Sequence, residues 1–386
     1  MSSYVATHLV DGLTYGRPSV LKNPHASPST TEQHRPTNPA IQAFHRQLPD
    51  YGSTQLHDLP SVAKELGFSR VFIKDESTRF GLPSFKIAGA SWAMHQTLCQ
   101  MLKLPESTSL AALQSAMKER SDVTVVTCTE GNWGRAISRM AGLYGVKARI
   151  YVPGFMNEYI RNLIRGEGGE VVVKEHGSYD ETSAAAFEDS QETGAMLLSD
   201  VAFDDYVEIP KWVSDGYSTI LQETDRQVAE MTGGKKADVV SSSVGAGSWA
   251  LAVVEHYRAT HPGCVIISAE TERATSLKES LHTGGLTHVK CGESIMNGMN
   301  CGTLSTIAWP VLRTGVDIST ALGEKVVHEA VLELQGLGIN AGPCGAANLV
   351  ALREACTSGA LTPEERNGNI AVLYSTEGRR EYTVPE

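Results

Sequence analysis

No run of about 18 consecutive apolar residues occurs in the 386-residue chain, so no segment reads as a membrane-crossing helix. Cysteine is sparse and scattered. The seven residues Cys99, Cys128, Cys264, Cys291, Cys301, Cys344 and Cys356 include no CxxC pair, which argues against a disulfide framework and a paired zinc site and for a reducing compartment. Positive charge is in deficit. With Lys+Arg 33 against Asp+Glu 44, the formal charge of -11 repels a nucleic-acid backbone and leaves no basic surplus to hold an anionic membrane. Neither nucleic acid nor membrane is an expected partner. The opening MSSYVATHLVDGL lacks the basic and apolar regions of a signal peptide, so a cytosolic protein is expected. There is also no GxxxxGK[ST] phosphate loop, and GAGSWA at 245–250 lacks the third glycine of a dinucleotide fingerprint.

What is present is an ordinary globular composition, 41% hydrophobic and 20% charged, at a length that suits one or two domains. The 36 glycines predict many tight turns. Residues 18–40 hold five prolines and no apolar period, which predicts an irregular arm. From Val71 onward, short β-branched runs alternate with segments of helical period. Strands are predicted at 71–74, 123–128, 148–152, 170–173, 237–242, 264–270 and 370–375. Helices are predicted at 89–102, 132–143, 158–166, 179–193, 215–231, 247–259, 325–335 and 345–355. Runs such as VTVVTC and VIISAE suit parallel strands buried on both faces, so the fold class is α/β.

Ligands in open α/β sheets bind beyond the carboxyl ends of strands, which directs attention to four loops. In KDESTRFGLPSFK, Lys86 follows a Gly-Leu-Pro turn at a helix start. On its own it reads as a solvated surface lysine, but apolar Phe85 and Ile87 suit a desolvated nucleophile. In SSSVGAGS, the glycine turn between a strand and a helix is either a steric necessity or an anion cradle of exposed N–H groups. In TCTEGNWGR, Asn132 lies in the turn and Thr129 can act as a helix cap. In YSTEG, Ser375 and Thr376 close a strand, usually as turn chemistry.

These four loops, in this order, resemble the pyridoxal-phosphate enzymes of the tryptophan synthase β (fold type II) group. Within it the chain is most similar to the diaminopropionate ammonia-lyase branch, whose KDES-x-RFGL-x-x-FK signature is met by Lys74–Ser77, Arg79–Leu82, Phe85 and Lys86. Agreement extends over about residues 42–380. The resemblance implies two subdomains with twisted, mostly parallel sheets flanked by helices and the cofactor between them. A large domain of 42–87 and 206–386 and a small mobile domain of 88–205 would follow an arm at 1–41.

By the same resemblance, Lys86 holds pyridoxal 5'-phosphate and removes the substrate α-proton. Asn132 bonds the ring hydroxyl; Gly245, Ala246, Gly247 and Ser248 cradle the phosphate; Ser375 or Thr376 faces the pyridine nitrogen. Glu130 and Asp180 stand for the family's substrate carboxylates. The implied activity is a lyase that eliminates ammonia from 2,3-diaminopropionate through aminoacrylate to pyruvate. The alternative is β-replacement, or a serine/threonine dehydratase reaction, on another β-substituted amino acid. A homodimer is also implied.

Several positions depart from the family pattern. Glu130 replaces an aspartate, and Trp133 replaces the histidine of GNHG, which predicts a pocket reshaped for a bulkier or less polar substrate. GPCGAA at 342–347 places Cys344 where an acid is usual, and Arg379 and Arg380 follow the terminal loop. Cys291 and Cys301 fall near cysteines of some relatives, but no bridge between them is expected in a reducing compartment.

Overall fold

A computed structural model describes residues 3–7, 14–27, 38–176 and 179–386. The chain divides into two compact units, one of Met1–Thr37, Ser53–Thr78 and Ile220–Glu386, the other of Asn38–Gly52 and Arg79–Thr219.

The first unit is built on a seven-stranded sheet in the order Val20–Lys22, Ile318–Leu322, Val265–Thr271, Val239–Ser243, Ile370–Ser375, Arg70–Asp75 and Gln55–Asp58. The five inner strands are parallel, and the two edge strands run antiparallel to their neighbours. Val239–Ser243, Ile318–Leu322 and Ile370–Ser375 are buried at every residue, as parallel strands covered on both faces must be. The helix Pro343–Thr357 lies on this sheet with Leu349, Ala351 and Leu352 fully buried. Each such leucine contributes about 1.5–3 kcal/mol.

Lys74, first residue of the KDES motif, is fully buried inside this unit. Its Nζ donates to Glu223 Oε1 (2.5 Å), Thr54 O (2.7 Å) and Gln227 Oε1 (2.7 Å). All three ammonium hydrogens are thereby used, and removing one charge of such a pair costs about 3–5 kcal/mol.

The second unit has four parallel strands in the order Glu170–Lys174, Lys147–Pro153, Thr124–Cys128 and Met196–Leu197. Its helix Lys86–Met101 is buried without interruption from Ile87 to Cys99. The sequence shows why a helix can be so enclosed: Ala88, Gly89 and Ala90 let Glu208–Gly216 approach its backbone. A Cβ on Gly89 would stand 2.8 Å from Val213 O, and one on Gly216 2.6 Å from Ala88 O.

Most predicted strands and helices are found within a few residues. The arm is a correction, because residues 18–40 hold a strand at Val20–Lys22, paired with Ile318–Leu322, and the start of a helix at Pro39–His45. Strands at Ser3–Thr7 and Thr14–Pro18 pair with each other, and residues 28–37 of the expected arm lie outside the described residues. The predicted helix 215–231 is two helices, Glu208–Gly216 and Ser218–Thr232, separated at Tyr217. The division also differs from the expected boundaries at 42–87 and 206–386. Residues 38–52, 79–87 and 206–219 pack in the second unit, where His45 Nε2 meets Ala88 O (3.0 Å) and Nδ1 meets Thr219 Oγ1 (2.8 Å).

Candidate active site

In the second unit, Lys86 is the first residue of its helix, and its backbone N–H donates to Ser84 Oγ (3.3 Å). Its Nζ donates to Asp200 Oδ2; the two side chains are 22% and 13% exposed. The amine therefore faces a carboxylate across a partly dry space, where charge-assisted hydrogen bonds are strong. It also stands 5.4 Å from the centre of the Phe85 ring and 5.8 Å from that of Trp133.

The strand Thr124–Cys128 leads into the asparagine loop. Thr129 Oγ1 accepts from Gly131 N and Gly134 N, both at 2.9 Å, so the capping role holds. Gly131, at φ 137°, makes the sharp entry to the helix Asn132–Tyr144, with half-buried Asn132 as its first residue. Glu130 is half-buried beside it. Burial pushes the Cys128 thiol well above its ordinary range, and the charges of Glu130 and Asp200 push it further. The charges of both carboxylates thus act on the same thiol.

Asp180 is exposed in the first turn of the helix Tyr179–Thr193, beside Glu181, where acids favour the helix dipole. The carboxylate that the fold sets against Lys86 is Asp200, twenty residues further on. Asp200 follows the two-residue strand Met196–Leu197, and that position beyond a strand end was the signal available to find it.

In the first unit, the register Ser241↔Leu373 sets the ends of Val239–Ser243 and Ile370–Ser375 side by side. The turn Gly245–Ala246–Gly247 leaves one, and Ser375 and Thr376 end the other. Gly245 has no room for a side chain, since a Cβ would stand 2.6 Å from Gly298 O; Gly247 takes φ +98°. Ser248 then opens the 13-residue helix Ser248–Thr260, whose first N–H groups suit an anion. Ser375 is fully buried and its Oγ has no hydrogen-bond partner. Thr376 is also buried. A buried hydroxyl left unsatisfied is costly, and a ring nitrogen supplied by a ligand removes that cost.

Asn348 carries no motif signal but ties these strand ends together. Its Nδ2 donates to Ser243 Oγ and Tyr374 O, both at 2.7 Å, while its Oδ1 accepts from Ser241 Oγ (3.0 Å). Next to it, Cys344 is buried and its thiol is pushed well up, first by burial and then by Glu377, so it stays protonated and inert. The acid missing from GPCGAA is made good by Glu377, whose Oε1 accepts from Cys344 N (3.2 Å) at the helix start. Arg380 in turn reaches Glu377 Oε2 (3.7 Å).

A family model described as pyridoxal-phosphate dependent enzyme matches residues 48–373. The chain belongs to this family of pyridoxal-phosphate dependent enzymes. Diaminopropionate ammonia-lyase of Salmonella typhimurium is 33% identical over 313 residues, 78% of this chain and 75% of that protein. The crystal structure of diaminopropionate ammonia lyase from Escherichia coli in complex with D-serine superposes with a TM-score of 0.82 at 26% identity, covering 93% of both chains. A biosynthetic L-threonine dehydratase of Corynebacterium glutamicum is 28% identical over 306 residues, 78% of this chain and 63% of its own length.

The family's cofactor fits what each unit presents. A glycine turn with no space for a Cβ, ahead of a long helix, suits a phosphate, and the orphaned Ser375 hydroxyl suits a pyridine nitrogen. Among the described residues no group of three or more His, Cys, Asp or Glu could hold a metal ion, and no helix is long and apolar enough to cross a membrane.

Proposed function

We propose that this enzyme eliminates ammonia from 2,3-diaminopropionate, releasing pyruvate and a second ammonia. The observation that carries this reading is the Lys86 amine set against the Asp200 carboxylate. A diamino acid brings two ammonium groups, and a carboxylate beside the reactive lysine supplies matching charge for one of them.

Lys86, Asn132, Gly245–Ser248 and Ser375 hold the cofactor in this proposal, by covalent linkage, ring-hydroxyl bond, phosphate cradle and ring-nitrogen partner in turn. Bound pyridoxal phosphate supplies an electron sink for the bond to the substrate's α-hydrogen. Lys86 Nζ takes the α-proton. Asp200, which accepts a hydrogen bond from that nitrogen, fixes its direction for the transfer. Glu130 pairs with the substrate's β-ammonium, one methylene further out than an aspartate would. A hydroxyl rather than a carboxylate at the ring nitrogen leaves it less firmly protonated, which favours prompt departure of the β-group. We further propose a cytosolic homodimer, on the family resemblance.

A second reading, β-replacement or serine/threonine dehydration, is favoured by Trp133 where the family pattern has histidine and by the likeness to L-threonine dehydratase. One experiment separates the two. Pyruvate and ammonia are measured from purified holoenzyme given L- and D-2,3-diaminopropionate, L-serine and L-threonine. Turnover dominated by diaminopropionate is expected. Turnover dominated by serine or threonine, or none with any of the four, sinks the proposal.

A further inference from the structure

Within the second unit, a cavity of about 370 Å3 is walled by Leu48, Pro49, Phe80, Ile87, Met140 and Leu143. Its polar side consists of Asp50, Arg139 and Glu167. The proposed chemistry at Lys86 uses none of these side chains. Among the described residues only four non-glycine residues take positive φ, and two of them line this cavity: Asp50 (φ 57°) and Phe80 (φ 46°, ψ 43°). An aromatic held in that region costs of order 1–3 kcal/mol, and such strain persists mainly at binding and switch sites.

The charges at the cavity are incompletely used. Arg139 Nε donates to Glu167 Oε2 (2.6 Å), while its terminal nitrogens make no hydrogen bond, and the Asp50 carboxylate has neither a hydrogen bond nor an ion pair. Asp50 Oδ2 and Arg139 Nη1 stand 2.9 and 3.2 Å from the single point where a Cβ on Gly81 would sit. One small group can therefore touch an anion and a cation at once, next to an apolar wall.

We propose that this cavity binds an aliphatic α-amino acid, distinct from the substrate, as an effector. Its ammonium pairs with Asp50, its carboxylate with the terminal nitrogens of Arg139, and its side chain lies against Phe80, Ile87 and Met140. The volume suits a ligand of that size. Diaminopropionate is refused because its second ammonium would be buried against apolar carbon. Occupancy bears on catalysis through the chain itself, since Ile87 follows Lys86 and Phe80 lies in the turn just before it.

The test is calorimetric titration of the holoenzyme with L-leucine, L-isoleucine, L-valine and L-methionine, recording cofactor absorbance to register any amino acid that reaches Lys86. It reads binding, not turnover, so it stands whether or not diaminopropionate is the substrate. Saturable one-to-one binding of at least one of the four, with the absorbance unchanged, is expected. Asp50→Asn and Arg139→Gln should each weaken it about tenfold or more, the loss of one charge contact. Gly142→Leu should abolish it, because a Cβ there meets nothing nearer than Glu167 O at 4.0 Å and the side chain fills the cavity. No binding by about 10 mM, binding that survives all three substitutions, or binding seen only with a change in cofactor absorbance overturns the proposal.

Discussion

Asp200→Asn keeps the shape of the side chain and removes its charge, which isolates what the carboxylate does for Lys86. The pair is mostly shielded, at 22% and 13% side-chain exposure, so its hydrogen bond has the strength of a charge-assisted contact, about 1.5–3 kcal/mol. Losing that alone costs roughly 10- to 150-fold in rate. If the carboxylate also handles a proton, the loss extends to about 10²–10⁴. Steady-state kinetics on diaminopropionate should therefore show kcat down at least about 10-fold, with cofactor absorbance retained. The matched control is Asp180→Asn. Asp180 is exposed at a helix start, and a surface change worth under about 0.5 kcal/mol leaves kcat within about twofold. An Asp200→Asn enzyme with kcat close to wild type, or an Asp180→Asn enzyme as damaged as Asp200→Asn, refutes the reasoning.

Ser375→Ala removes a hydroxyl that bonds to nothing in the protein, so thermal unfolding of cofactor-free protein should be unchanged or later while kcat of the holoenzyme falls; the same split in Thr376→Val but not in Ser375→Ala would move the ring-nitrogen role to Thr376. Gly245→Ala forces a Cβ to 2.6 Å from Gly298 O, and the overpacking, about 1–3 kcal/mol, should appear as a loss of cofactor affinity of about 5- to 150-fold in equilibrium dialysis. His45 and His95 are buried, and burial lowers their pKa values to about 3 and about 4, so both are neutral when folded and protonate on unfolding below about 6.5. Their contribution is complete above pH 6.5 and is lost as pH falls toward 4. At pH 5 each costs about 2 kcal/mol, and the urea midpoint of His95→Gln should fall less between pH 7 and 5 than that of wild type.

The elements legible in the sequence were those whose burial is written in consecutive residues. Val239–Ser243 and Val265–Thr271 are enclosed parallel strands, and each opens on consecutive β-branched residues, Val239–Val240 and Val265–Ile267, ahead of small or polar ones. Ile318–Leu322, equally buried, reads ISTAL; its Ser319 and Thr320 face a packed interior that only the tertiary fold reveals, and the strand was missed. The edge strands Val20–Lys22 and Gln55–Asp58 are missed for the opposite reason. Short, half-buried and antiparallel to the sheet, one lies among prolines and the other carries His57 and Asp58.

For the site, a loop announces itself when its backbone needs particular residues. The glycine turn at 245–247 and the Gly131–Asn132 entry could be read because close approach or positive φ restricts them to glycine. A carboxylate has no such restriction. Asp180 and Asp200 look alike in sequence, and only the direction of the side chain, set by packing 114 positions away from Lys86, separates them.

Packing also changes the meaning of Trp133. As a sequence substitution it predicts a pocket reshaped for a bulkier or less polar substrate; in the fold its indole Nε1 donates inward to Thr127 Oγ1 (2.9 Å) and Leu198 O (3.1 Å). Leu198 lies two residues before Asp200. The tryptophan therefore anchors the segment that brings Asp200 to Lys86, and its ring, 5.8 Å from Nζ, closes one side of the same corner. The residue that departs from the family pattern is thus tied to the residue that the motifs did not reveal, and the geometry around Lys86 depends on both.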